Sequence, residues 1–323
     1  MPRQLVIVVP LLLSPLACSV TGSAGDDDGD GGDAPAGDGG PGASDGSSDP
    51  LADAGPPDVV ACTEAASGAL ALEFTYDAPP VVTGGTIELQ GSETWSLTQP
   101  VGSGRVGDRG VRSELRYGDA EAYGGPRAET ALVGNSSSRY AAGDSFFYGF
   151  SAYVPAGWVD DAGNEDIMFQ WHNIPDDDAG EGSKSPNLFL AIKRDEFVLR
   201  ITSDANPVST ADSPLKEQAL LVDGLQLAQG TWHDFVFHVV WSYQGFDGLI
   251  EAWHRTAGET GYRKVLQKVG PNMHNDELDG YVKWGIYKPS WRSGATAPSA
   301  RVVMHDEIRV GESFGAVEPA CPR

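Results

Sequence analysis

Cysteine and basic residues are scarce in this sequence, and each scarcity excludes a class of protein. The 323 residues include 3 cysteines, with no CxxC pair and no zinc-type Cys/His spacing. Structural zinc sites and redox dithiols are therefore excluded. Lysine and arginine total 22 against 46 aspartates and glutamates, and the formal net charge is −24. A chain this acidic has no long-range attraction for nucleic acid, so we expect no nucleic-acid partner.

The acidic charge is concentrated near the N-terminus. Ten of the 46 acidic residues precede Ala61, where Arg3 is the only base. The remaining chain has 36 acidic and 21 basic residues and a net charge of −15. An acidic ligand would therefore need a locally positive groove to overcome the overall repulsion.

A long apolar run is also lacking. The run from Leu5 to Leu16 is broken by two prolines and is too short to cross a bilayer. Preceded by Arg3, it is typical of a signal peptide, and Leu16-Ala17-Cys18 resembles the end of a bacterial lipoprotein signal. We predict a signal peptide over residues 1–18, export, and lipidation of Cys18 that anchors the protein at the cell envelope. The alternative is a soluble secreted protein.

The chain after the signal divides into two parts. Residues 19–60 contain Gly, Asp, Ala, Ser and Pro with almost no large apolar side chain, which predicts a disordered acidic linker. Residues 61–323 predict one domain, with Cys62 and Cys321 at its two ends. Because exported proteins meet oxidising conditions and domain termini often lie close together, we predict a disulfide between these cysteines. We expect a monomer that meets the membrane only through its lipid.

Helical periodicity is nearly absent, apart from Ser213 to Leu221. About thirteen short runs between Leu70 and Val310 alternate apolar and polar residues, separated by Gly, Pro, Asn and Asp. Many short strands with turn residues between them predict an all-β fold, a two-sheet β-jelly-roll sandwich.

One of these runs carries chemistry-bearing side chains where a strand meets a polar loop. Between Asp166 and Asn173, alternation assigns Ile167, Phe169 and Trp171 to the core and Met168, Gln170 and His172 to the opposite face. The opposite face therefore delivers an amide and an imidazole side by side onto a surface that can hold a ligand.

Two further runs repeat this arrangement, in Val111–Arg116 and Tyr281–Lys288. The polar members of each share a face: Arg112, Glu114 and Arg116 in the first, and Tyr281, Lys283 and Tyr287 in the second. If the three strands lie in one sheet, a single face collects Arg, Gln, His, Lys and Tyr, which favours a carbohydrate site.

Taken in order, the motifs resemble those of jelly-roll polysaccharide lyases, such as the glucuronan lyases and heparin lyase I-like enzymes. The motifs are Arg112-Ser113-Glu114-Leu115, Gln170-Trp171-His172 with Ser185-Pro186, Trp232-His233-Asp234-Phe235, Trp241-Ser242, Gly248-Leu249-Ile250-Glu251-Ala252-Trp253 and Lys283-Trp284-Gly285-Ile286-Tyr287-Lys288. The resemblance implies a concanavalin A-like jelly roll and β-elimination on an acidic polysaccharide that contains uronic acid.

The resemblance also implies roles for individual residues. β-Elimination removes the C5 proton beside the uronate carboxylate, so a cation or donor must neutralise that carboxylate, and a base and an acid must move protons. It implies that His172 and Tyr287 are catalytic and that Arg112 and Gln170 bind the carboxylate. Which of His172 and Tyr287 takes the C5 proton stays open. The rest of the expected substrate-binding set is Glu114, Arg116, Lys283 and Lys288.

Competing interpretations follow from the same residues. A non-catalytic glycan-binding module would have the same fold, and Arg112 with Glu114 would then be a plain ion pair. A glycoside hydrolase is disfavoured because no strand carries closely alternating carboxylates.

The proposed chemistry requires no cofactor. His305-Asp306-Glu307 is a candidate for a structural calcium, with a capping role as the alternative. Trp158 and Trp291, near or within loops, are the candidates for stacking on sugar rings.

Overall fold

The computed structural model of the chain describes residues 59–62, 68–82, 85–161, 163–222 and 228–321. The predicted signal peptide, its Cys18 and residues 19–58 of the predicted linker lie outside the described residues. Within these ranges, no helix has the length and apolarity needed to cross a membrane.

The described chain contains sixteen strands. They are β1 (Val59–Ala61), β2 (Leu70–Phe74), β3 (Glu88–Gln90), β4 (Leu97–Thr98), β5 (Val111–Arg116), β6 (Arg127–Ala131), β7 (Ser145–Val154), β8 (Glu165–His172), β9 (Leu188–Lys193), β10 (Glu196–Ser203), β11 (Leu215–Val222), β12 (Thr231–Val240), β13 (Leu249–Thr256), β14 (Gly261–Val269), β15 (Tyr281–Tyr287) and β16 (Ala300–Gly311). One α-helical turn, α1 (Phe314–Val317), follows β16, and short 3-10 helices cover Ser136–Ser138, Asp177–Ala179 and Pro289–Arg292.

The strands form two antiparallel sheets. The nine-stranded sheet runs β1-β14-β13-β12-β7-β16-β5-β4, with β2 also paired to β16, and the seven-stranded sheet runs β11-β10-β9-β8-β15-β6-β3. Both sheets also pair strands that are distant in sequence, as in β5 with β16 and β6 with β15. This is the all-β jelly-roll sandwich that the sequence predicts.

Aromatic side chains fill the space between the two sheets. Phe150 of β7 stacks on Phe169 of β8 with ring centroids 4.2 Å apart, and Trp171 of β8 meets Phe237 of β12 at 4.9 Å. All four are buried, and burying one such side chain contributes about 1.5–3 kcal/mol. Since Phe169 and Trp171 point inward, the residues that alternate with them on β8 point to the outer face of the seven-stranded sheet.

The alternation predicted for β8 holds only in its second half. The pairing of β8 with β9 shifts register between Ile167 and Phe169, which is a β-bulge with one extra residue. The bulge turns Met168 into the core and Ile167 outward, which reverses the prediction for these two residues and leaves Gln170 and His172 on the outer face.

Each predicted strand has an observed counterpart, and the segment with some helical periodicity, Ser213 to Leu221, is not a helix. The segment forms β11, an edge strand paired with β10, and its first four residues are exposed. Because one side of an edge strand faces solvent, its apolar residues need not alternate strictly.

The two ends of the domain are tied together. Cys62 and Cys321 form a disulfide with Cα atoms 5.7 Å apart, although 259 residues separate them in sequence. Just before Cys62, Val59 pairs with Arg263 of β14, so the domain begins slightly earlier than the predicted boundary at residue 61.

Candidate active site

A groove runs across the outer face of the seven-stranded sheet. Its volume is about 990 Å³, and side chains from β3, β6, β15, β8, β9 and β10 line it. Six neighbouring strands span roughly 24 Å at about 4.8 Å per strand. The groove is therefore long enough for several units of an extended polymer.

A buried carboxylate, Glu129 of β6, organises the floor of the groove. It accepts a hydrogen bond from the Gln170 amide and pairs with Lys283 Nζ at 3.1 Å and Arg127 Nη1 at 3.4 Å. Lys283 and Gln170 lie directly opposite each other on β15 and β8. One fully buried anion thus fixes two cations and an amide from three adjacent strands.

His172 lies beside this cluster with one ring nitrogen available. Its Nδ1 is 2.7 Å from the backbone oxygen of Asn173, and since a carbonyl only accepts, Nδ1 carries the hydrogen and Nε2 the lone pair. Nε2 makes no hydrogen bond to any described residue. Burial lowers the pKa of His172 to about 3, and nearby Lys283 acts in the same direction. The imidazole is therefore neutral near pH 7 and able to accept a proton.

Tyr287 lies on the other side of the Gln170–Lys283 pair from His172. The Arg127 guanidinium stacks over its ring at 4.2 Å from the centroid. Gly125 makes room for both, because a Cβ at that position would lie 2.9 Å from the Tyr287 ring and 3.0 Å from Arg127 Nη2. A phenol and a guanidinium therefore share one end of the floor.

A second phenol, Tyr281, packs on His172 with ring centroids 5.3 Å apart. The two residues are cross-strand partners on β15 and β8. Burial raises the pKa of Tyr281 above its ordinary value, so its hydroxyl stays protonated.

A third tyrosine, Tyr123, stands in the tight turn before β6. Tyr123 and Gly124 both have positive φ, 49° and 73°, and Ala122 and Gly125 exchange backbone hydrogen bonds across them. Positive φ at both central residues is the pattern of a type I′ turn. A residue other than glycine in this left-handed region costs about 1–2 kcal/mol. The Tyr123 side chain lines the groove and is 58% exposed.

The groove is more positive than the domain around it. Among the described residues its lining contains five cations, Arg127, Lys184, Lys193, Arg200 and Lys283, against three carboxylates, Glu165, Asp177 and Glu181. All five cations are paired: Arg200 and Lys193 with Glu165, Lys184 with Glu181 and Asp276, and Arg127 and Lys283 with Glu129. Counted with these partners the groove is close to neutral, so it repels an acidic ligand less than the acidic domain around it does.

The structure brings four of the predicted site residues together: Gln170, His172, Lys283 and Tyr287 line the groove. It adds Arg127 and Glu129, which the sequence analysis missed. Their Arg-x-Glu spacing is the same as in the Arg112-Ser113-Glu114 motif and was the signal that could have found them.

The placement of Arg112, Glu114 and Arg116 in the site is wrong. They lie on β5, which pairs with β4 and β16 in the nine-stranded sheet, and none of them lines the groove. Instead Glu114 accepts hydrogen bonds from Arg112 and, at 2.6 Å, from Arg116. The motif therefore forms a local ion-pair cluster, which was the competing interpretation.

Lys288 is also misplaced by the sequence analysis. It follows the last residue of β15, and its buried ammonium pairs with Asp161 and, at 2.8 Å, with Asp166. Arg301 binds the other oxygen of Asp166 at 2.8 Å. Lys288 therefore belongs to a buried ion-pair network and does not line the groove.

The remaining expectations concern calcium and sugar stacking. Asp306 accepts hydrogen bonds from the backbone of Arg105, Val106 and Glu307, as the capping alternative requires, and the calcium expectation stays untested. Trp158 packs under Arg301 and Trp291 is buried, so neither lines the groove.

The fold and groove define a class of protein, a jelly roll with a long, largely polar groove across the outer face of one sheet. Within that class, the chain matches the polysaccharide lyase family model over residues 82–309 and belongs to this family. No curated protein matches the chain in sequence.

Several solved structures resemble the chain. An endo-β-1,4-glucuronan lyase from Trichoderma reesei has 19% identity and a TM-score of 0.56, with 73% of this chain and 99% of that chain covered. A marine alginate lyase from Aplysia kurodai has 13% identity and a TM-score of 0.46, covering 75% and 98%. A glycoside hydrolase family 131 catalytic domain from Coprinopsis cinerea has 10% identity and a TM-score of 0.46, covering 73% and 87%. At these identities the likeness concerns the fold alone.

Proposed function

We propose that the protein cleaves a uronic-acid-containing polysaccharide by β-elimination. The observation that carries the proposal is the convergence of a neutral imidazole, a phenol and a carboxylate-binding cluster in one groove of a polysaccharide lyase. His172, Tyr287 and Arg127 provide these three functions, with Gln170 and Lys283 between them.

The first task is to neutralise the uronate carboxylate, because the C5 proton beside it is a very weak acid while the carboxylate stays charged. Arg127 takes the role first assigned to Arg112. Its Nη1 binds Glu129, while its Nη2 has no acceptor among the described residues and remains able to bind a carboxylate oxygen. Lys283 and the Gln170 amide add a charge and a donor from the neighbouring strands. Because Glu129 holds these groups in place beforehand, little reorganisation is needed as charge develops in the transition state.

Proton transfer then involves His172 and Tyr287. Nε2 of His172 takes the C5 proton, and the C–H electron pair forms the C4=C5 double bond. The C4–O4 bond breaks, and the Tyr287 hydroxyl donates its proton to the leaving oxygen. The resulting imidazolium and phenolate return to their starting states by proton exchange with water. No cofactor takes part in these steps.

A panel of polyuronates tests the proposal directly. The purified domain is incubated with glucuronan, alginate and glycosaminoglycans, and the ultraviolet absorbance of the unsaturated product is followed. We expect a rise in absorbance with at least one of them. Binding without product on any member would contradict the lyase proposal and favour a non-catalytic glycan-binding module.

The reassignment of the carboxylate binder gives a second prediction. Arg127→Ala should lower kcat/KM by about tenfold to a hundredfold, because a charge-assisted hydrogen bond to the substrate is lost. Arg112→Ala is the matched control, since it removes an arginine of the same Arg-x-Glu spacing from the other sheet, and it should leave kcat/KM unchanged. Equal losses in the two variants would contradict the assignment; thermal melting of both variants separates an effect on folding.

A further inference from the structure

The geometry points to Tyr123 as the stacking platform of a sugar-binding subsite at the Tyr287 end of the groove. Its ligand is a pyranose ring of the polymer, adjacent to the sugar that reacts. This inference rests on the proposed function and adds a residue that binds the polysaccharide without taking part in proton transfer.

Tyr123 adopts a backbone conformation that is unusual for its residue type. The first central position of a type I′ turn favours Asn, Asp or Gly, because a larger side chain is strained at positive φ. Tyr123 has φ 49°, while the glycine that suits such a turn stands at the second position. Strained conformations of this kind concentrate at ligand sites, where the side chain has a use that offsets the strain.

The Tyr123 ring has few neighbours. Tyr123 is 58% exposed, and within the described residues its side chain has no ring stacking partner, no cation over its face and no hydrogen bond. It nevertheless lines the groove. A ring that lines the groove and has no partner within the described residues leaves its surface available for a ligand to cover.

Tyr123 lies close in sequence to the residues at the Tyr287 end of the groove. Tyr123 stands two residues before Gly125, where an added Cβ would lie 2.9 Å from the Tyr287 ring and 3.0 Å from Arg127 Nη2. The turn therefore places the ring beside the end of the floor where the phenol and the guanidinium meet. A polymer whose uronate lies on Arg127 would continue past Tyr123.

The chemistry of the ring fixes the class of ligand. A tyrosine presents a flat apolar face and a polar hydroxyl edge, which matches the C–H face and hydroxyl rim of a pyranose. Stacking acts on the ring face and not on the carboxylate, so the subsite should serve uronates of different configuration. The subsite should bind the substrate equally well in the ground state and in the transition state. Loss of the Tyr123 ring should therefore raise KM and leave kcat unchanged.

Binding is measured in variants that carry His172→Ala, and KM and kcat are measured in the protein with His172 intact. Affinity electrophoresis in native gels containing glucuronan or alginate compares Tyr123→Ala, Tyr123→Asn and Tyr123→Phe in a His172→Ala background, in which polymer should not be consumed. We expect Tyr123→Ala and Tyr123→Asn to weaken binding by about fivefold to tenfold, the effect of losing one aromatic contact, and Tyr123→Phe to bind normally. Phe246→Ala, an exposed aromatic far from the groove lining, is the matched control.

Tyr123→Asn separates a binding role from a structural one. Asparagine tolerates positive φ, so its melting temperature should equal or exceed that of the parent while affinity falls. Affinity retained within twofold in Tyr123→Ala, affinity loss that follows melting temperature, or a parent that binds neither gel would overturn the inference. If the Tyr123 variants bind more weakly but the protein with intact His172 forms no unsaturated product, the subsite is supported and the lyase proposal is contradicted. If the protein with intact His172 forms product and its KM is the same with and without Tyr123, the lyase proposal is supported and the subsite is contradicted.

Discussion

His172→Ala should lower kcat for the unsaturated product by about 10²- to 10⁴-fold, the usual contribution of a positioned general base. The reason is local: Nδ1 of His172 is committed to the Asn173 carbonyl, so Nε2 is the nitrogen that can take the C5 proton. Initial rates from product absorbance at saturating polymer measure the effect. His238→Ala is the control, because His238 pairs with Glu251 on the other sheet and should leave kcat unchanged.

The same prediction extends to pH. A base works in its unprotonated form, and burial lowers the pKa of His172 to about 3. Activity should therefore persist as pH falls through 6.5, the ordinary pKa of imidazole, and decline only toward pH 4 and below. A log(kcat/KM) profile with its acidic limb near pH 6.5 would contradict a buried neutral base at this position.

The identity of the acid can be tested with two phenols on one strand. Tyr287→Phe should reduce kcat by a similar factor, whereas Tyr281→Phe keeps the ring that packs on His172 and should retain most of kcat. The reverse result would assign proton donation to Tyr281 and contradict the role given to Tyr287.

The residues predicted correctly owe their success to local alternation. On β15, Val282, Trp284 and Ile286 enter the core, and Lys283 and Tyr287 face the groove, as a period of two requires. Tyr287 still faces the groove, although the pairing of β15 with β8 shifts register between Trp284 and Tyr287. Alternation and turn residues were sufficient to predict the two-sheet sandwich and the side of β15 on which Lys283 and Tyr287 lie.

The errors concern long-range pairing, which a local pattern does not encode. Arg112-Ser113-Glu114 and Arg127-Ala128-Glu129 have the same spacing and the same alternation, yet β5 joins β16 and β6 joins β15. Which sheet a strand enters is decided by partners more than 150 residues away, so the pattern alone could not choose between the two motifs. The bulge at Met168 is a second nonlocal feature, because it exists only relative to β9.

Glu129→Leu should destabilise the fold by about 3–5 kcal/mol, the cost of leaving buried charges without their partner. The Glu129 side chain is 0% exposed, and the Lys283 and Arg127 side chains that it pairs with are 2% and 9% exposed. Urea unfolding followed by tryptophan fluorescence measures the loss. Glu114→Leu is the matched control: Glu114 pairs with two arginines that are 27% and 48% exposed, and solvent screening limits such pairs to about 0–1 kcal/mol.

Adding Lys283→Met to Glu129→Leu distinguishes an electrostatic loss from a packing loss. If the destabilisation comes from the loss of the Glu129 charge beside buried cations, the double variant should recover part of the free energy of unfolding, because one buried ammonium that has lost this carboxylate is gone. Catalysis should not recover, because the Gln170 amide has lost its acceptor on Glu129 and the carboxylate-binding cluster has lost the Lys283 cation. Equal destabilisation by Glu129→Leu and Glu114→Leu, or no recovery in the double variant, would show that Glu129 is not the residue that holds the floor of the groove together.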